Sequence, residues 1–147
     1  MREATGNGLL TMMVTSIIAV IMIFFVGSLS YSKSFRIKNY IIGEIEENRG
    51  WSTNVQNSVD KYLKDAGYNI AKSNKACPII QECNKDRNGG TAINSTNRNY
   101  DYCIYHCGTG TSDFYKVITY MKFEFPVIGD VMKFTVKGET KSFNNFN

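Results

Sequence analysis

The chain has 147 residues, of which 43% are hydrophobic and 20% charged, and it carries a net charge of +4. Its lysines and arginines are interleaved with carboxylates and never form a run of five or six like charges. That pattern argues against nucleic acid as a partner and leaves an ordinary solvated surface. Mean hydropathy is only slightly negative, at −0.25, so apolar character is concentrated rather than spread.

Residues 1–8, "MREATGNG", form a short polar lead with one Arg and one Glu. From Leu9 to Tyr31 the chain then runs for 23 residues without a charge or a proline. About 20 apolar residues in a helix cross ~30 Å of hydrocarbon, so residues 9–31 are long enough to span a bilayer. A cleaved signal peptide has a positive lead, a shorter apolar core and a small-residue exit. "GSLS" at 27–30 could supply the exit, but the core is too long and the lead has no net side-chain charge. A retained span is the expectation.

The helical pattern continues past the apolar run. Tyr31, Phe35, Ile37, Ile41, Ile42 and Ile45 recur at helical spacings, with Lys33, Arg36, Lys38, Glu44, Glu46 and Glu47 expected on the other faces. Residues 9–48 therefore read as one helix of about 60 Å, apolar in its first half and amphipathic in its second. Gly50 is the expected stop. A second helix follows, capped by Ser52 or Thr53, with Val55, Val59, Tyr62, Leu63 and Ala66 in one stripe. "AGY" at 66–68 ends it with a glycine cap, and Asp60, Lys61, Lys64 and Asp65 fall elsewhere on the wheel.

Residues 72–99 are rich in Lys, Asn and Gly and read as a loop. The Asn94-Ser95-Thr96 triplet within it matches a glycosylation acceptor, a match common by chance in so Asn-rich a stretch. The remainder alternates as strands over 100–107, 114–125 and 131–138, and the lysine-bearing faces are expected to meet solvent. "PVIGD" at 126–130 is a turn whose apolar tip, Val127 and Ile128, is a candidate contact loop.

All four cysteines, Cys77, Cys83, Cys103 and Cys107, follow the apolar run, which suits two disulfides in an oxidising compartment. In a regular strand Cys103 and Cys107 are about 13 Å apart, beyond the reach of one bridge. Of the pairings left, Cys77–Cys103 with Cys83–Cys107 is favoured, because Cys103 is mid-strand and Cys77 follows closely on the second helix. Zinc is the competing use, with His106 as a further ligand, but C-x5-C and C-x3-H-C lack paired C-x2-C knuckles. No catalytic constellation stands out. His106 is the only histidine, "NGG" at 88–90 lacks a phosphate loop's lysine, and no carboxylate pair sits in an apolar setting. The expectation is a non-enzyme with no cofactor and no metal.

The fold class expected is α+β: a long transmembrane and amphipathic N-terminal helix (residues 9–48) packed on a small, disulfide-stapled antiparallel head (residues 49–147) with one further helix. This plan resembles the type IV pilins and pseudopilins, and is similar to the TadE-like single-span proteins of tight-adherence pilus loci. The resemblance covers the whole chain in outline. It implies a structural subunit of a pilus or secretion filament that is membrane-anchored before assembly, displays an extracytoplasmic head, and has membrane lipid, further subunits and assembly machinery as partners. In that family an acid near the mature N-terminus is characteristic; the acid here is Glu3. Leu9, Gly27, Phe35, Ile41 and Ile45 would belong to the assembly helix, with Gly6, Gly8, Ala19 and Gly27 permitting close helix approach. Lys33, Arg36 and Lys38 beyond the span favour a cytoplasmic head by the positive-inside rule, whereas the cysteines favour an extracytoplasmic one; the cysteines carry more weight. The alternative is a membrane-tethered binding or adhesion module.

Overall fold

The computed structural model describes residues 2–68, 77–80, 83, 90–94, 102–108, 112–125 and 129–144. Two helices, α1 (Arg2–Glu47) and α2 (Thr53–Asp65), precede the strands β1 (Tyr102–Gly108), β2 (Ser112–Phe125), β3 (Gly129–Glu139) and β4 (Phe143–Asn144). The fold is the α+β arrangement the sequence implies.

Helix α1 is unbroken for 46 residues, about 69 Å at ~1.5 Å per residue. It begins at Arg2 rather than at residue 9, so the polar lead is its first two turns. No proline interrupts it, and its first stop signal is reached only at Asn48. There Gly50 N–H donates to the Ile45 carbonyl (3.0 Å) and Arg49 N–H to the Glu46 carbonyl (3.3 Å). These are the paired bonds of a Schellman motif. Its left-handed position is held by Arg49 (φ 51°), one residue before the glycine that marks the stop in the sequence.

Helix α2 is capped by Ser52, whose Oγ accepts from the Val55 N–H. At its other end Gly67 (φ 60°) takes the left-handed position. Tyr68 N–H reaches the Leu63 carbonyl (2.9 Å) and Gly67 N–H the Lys64 carbonyl (3.0 Å). Tyr68 and Leu63 enter the same core, which gives this second Schellman motif its apolar contact.

The sheet is antiparallel in the order β1-β2-β3. β2 and β3 pair from Lys116↔Glu139 to Phe125↔Gly129, so Gly129 and Asp130 belong to β3 rather than to the turn. Val127 and Ile128 lie outside the described residues. β4 pairs with the start of β2 through Ser112↔Asn144 and Asp113↔Phe143. Between β3 and β4, Thr140 N–H donates to the Tyr115 carbonyl and its Oγ1 accepts from the Tyr115 N–H, both at 2.9 Å. β4 is thus β3 resumed after a short irregularity, a continuation too short to show in the sequence pattern.

Both faces of β1 and of the first half of β2 are covered. On one, Ile37, Ile41 and Ile45 of α1 and Val55, Val59 and Leu63 of α2 pack on Tyr102, Ile104 and Val117. On the other, Cys83, Cys103, Tyr105, Cys107 and Ile118 form a second core, flanked by Cys77, Ile80, Ala92, Phe114 and Tyr120. The expectation that lysine-bearing strand faces meet solvent fails at Lys116, which is buried and paired to Glu139 at 3.1 Å. The segment carrying Cys77 and Cys83 crosses that face of β1 and β2. It leaves Lys137 of β3 exposed.

Candidate functional site

Among the described residues, the distinctive feature is the surface of α1. Along the stem, side chains stand free of the head: Leu9 is 66% exposed, Phe24 76%, and Ala19 is also exposed. Gly8 has open space around it, whereas Gly27 is half-buried. Four hydroxyls in this run are turned inward to the helix. Thr11 Oγ1 donates to the Asn7 carbonyl, Thr15 to Thr11, Ser16 to Met13 and Ser28 to Phe24, all within 3.0 Å. In hydrocarbon an unmet donor costs several kcal/mol, and these bonds remove that cost. The stem is long and apolar enough to cross a membrane.

Above the run the helix changes character on one side only. Ser34, Ile37, Lys38, Ile41 and Ile45 are buried against the head, Ile41 and Ile45 completely. Phe35 points the other way, partly exposed and stacked on Tyr31 with centroids 6.3 Å apart. Lys38, placed by its charge among the solvent-facing residues, is on the buried side. Its methylenes lie against Gly138 of β3, and its ammonium sits 4.1 Å from the centroid of the Phe35 ring. A long aliphatic stem that keeps its charged end over an aromatic face accounts for a lysine here.

Three further links hold α1 to the head. Lys33 Nζ donates to the Gly67 carbonyl at the end of α2 (3.0 Å). Tyr40 stacks on Tyr62 at 3.8 Å, and burial followed by the Glu44 carboxylate holds the Tyr40 phenol above its ordinary range. Glu46 Oε1 accepts from the Lys141 N–H beyond β3 (2.8 Å). None of these links has a signal in the sequence, because each joins positions at least 22 residues apart through one contact.

On the opposite side of the sheet, the bridges are Cys77–Cys103, with Cα atoms 5.9 Å apart, and Cys83–Cys107, at 4.9 Å. Both cysteines of β1 are thereby consumed, and no described cysteine is free to hold a metal. Among the described residues no three His, Cys, Asp or Glu side chains converge. His106 instead stacks on Tyr115 across the strands, with Nε2 3.5 Å from Asp113. Asn94 is buried, its amide donating to the Tyr102 carbonyl (2.9 Å) and accepting from the Ile104 N–H (3.1 Å). It imitates a neighbouring strand along the outer edge of β1, a role incompatible with carrying a glycan. In α2, Asp60 accepts from the Tyr102 hydroxyl at 3.1 Å; burial pushes its carboxyl up, and this bond partly opposes the shift.

Glu3 lies in the first turn of α1. Glu3, Leu9 and Gly27 belong to the stem, Ile41 and Ile45 to the face buried on the head, and Phe35 to the outward face between them. The structure thus distributes the residues expected to serve assembly over three surfaces. No family model, curated protein or solved structure matches this chain.

Proposed function

We propose that this protein is a single-span, extracytoplasmic structural subunit of a pilus-like or secretion filament, assembled side by side through α1. The observation that carries the reading is continuity. One helix leaves an exposed apolar stem and, without a break, becomes the shaft on which the disulfide-stapled head is mounted. A simple tether has no need of such a shaft, since a flexible linker presents a domain equally well. Exposed Phe and Ile side chains on every side of the stem suit a helix that meets lipid first and other stems afterwards. The two disulfides fit an oxidising compartment for the head.

A photo-crosslinking residue at Ile18 in the membrane-resident protein tests this. Ladders of dimers and higher multiples, with surface filaments seen by electron microscopy, are the expected result. Crosslinks to lipid alone, with monomeric protein at the surface, would support the tethered binding module instead.

A further inference from the structure

Where stem meets head, α1 and α2 enclose a cleft of about 410 Å³. Its lining includes Leu29, Ser32, Lys33 and Arg36 from α1, Tyr62 from α2 and Ala66, which caps α2. Two cations face it, and no carboxylate is among its lining residues. Lys33 gives one bond to the Gly67 carbonyl, which leaves two of its three ammonium protons for another acceptor. Arg36 has no carboxylate partner among the described residues, and its planar fork matches two oxygens of one phosphate.

The depth of the cleft is as informative as its charge. The uncharged run from Leu9 to Tyr31 measures about 34 Å along the helix, close to the ~30 Å of a hydrocarbon core. Ser32 to Arg36 occupy the next ~6 Å, the level of lipid phosphates. Leu29, exposed and still within the run, forms the floor on the membrane side. We propose that this cleft binds the phosphate of an anionic phospholipid, whose acyl chain lies along Leu29. The headgroup then bridges stem and head, held by Lys33 and Arg36 and flanked by Tyr62. This inference rests on the reading of residues 9–31 as a membrane span.

The test uses the full chain in nanodiscs of phosphatidylcholine mixed with phosphatidylglycerol, with retained lipid identified by native mass spectrometry. Each basic residue near a membrane surface contributes about fivefold, so the pair predicts roughly 30-fold preference for phosphatidylglycerol. Arg36→Gln, which removes no bond to the head, should reduce that preference about fivefold, and adding Lys33→Gln should abolish it. Lys61→Gln with Lys64→Gln, on the exposed side of α2, should leave it intact. Equal retention of both lipids, or an unchanged preference in the Arg36 variant, overturns the proposal. Displacement of the lipid by inorganic phosphate also overturns it and assigns the cleft to a free anion. A chain that fails to float with phosphatidylcholine vesicles refutes the span itself, an outcome distinct from floating without lipid preference.

Discussion

Gly138 of β3 lies so close to α1 that a Cβ added to it would stand 2.7 Å from Lys38 Cδ and 2.8 Å from Ile42 Cδ1. The side-chain ends of Lys38 and Ile42 fill the space beside this glycine, the kind of close approach that a glycine inside a strand often marks. Gly138→Val should displace the ends of Lys38 and Ile42 and cost about 1–3 kcal/mol through overpacking. A lower head melting temperature in detergent, with secondary structure retained on circular dichroism, is the expected signature.

Ile41 is fully buried between α1 and the sheet. Ile41→Asp places a carboxylate there without a partner, at a cost of about 4 kcal/mol or more. The head should become protease-sensitive, and under the proposed function filament assembly should be lost with it. A variant that resists protease and remains displayed at the surface would show that head and shaft are not the cooperative unit described above.

The Cys83–Cys107 bridge closes a loop of 24 residues in sequence separation, and loop-closure entropy assigns such a bridge roughly 3.5 kcal/mol. Replacing both cysteines by serine should lower the unfolding free energy by that amount, read as a lower denaturant midpoint, without changing the shape of α1. Mass spectrometry of the unreduced, alkylated parent should find both bridges intact and none of the four cysteines labelled.

Asp60 gives a pH-dependent test. Its carboxyl is raised in the folded state by burial, opposed by the Tyr102 hydroxyl. A carboxyl raised on folding supports stability below its unfolded pKa, and this support is lost as pH climbs through the folded value. Asp60→Asn keeps an oxygen for Tyr102 and removes the charge. The variant should match the parent near pH 3 and melt higher than it at pH 7, the gap opening just above the ordinary carboxylate range. Thermal melts at a series of pH values would measure it.

The elements were legible where the chain spoke locally. The stripe Val55, Val59, Leu63 specified α2 and its buried side, and alternation specified the three main strands. The favoured cysteine pairing followed from which cysteines sit mid-strand and which border loops. What was illegible is what depends on distant cover. Lys116 is buried in the sheet beside Tyr105 and Glu139, and nothing near Lys116 in the sequence says so. Lys38 reads as a solvent-facing charge until Gly138 and Phe35 are brought beside it. Asn94 resembles a glycan acceptor by its neighbours and is a strand mimic by its position. The lead was misjudged for a different reason: polar residues and two glycines weaken a helix without ending it when no proline or competing contact intervenes.

The absence of any joint between stem and head has a mechanical corollary. A helix advances 100° and ~1.5 Å with each residue, so the azimuth of the head is geared to the rotation of the stem. Inserting one alanine between Val26 and Gly27 would swing the head by about 100° around the helix axis while leaving its interior untouched. Seven inserted residues would return it nearly to its original bearing, about 10 Å farther from the bilayer. A protein whose outer domain hung on a loose cord would ignore both insertions; this one should register them as a dial registers its spindle.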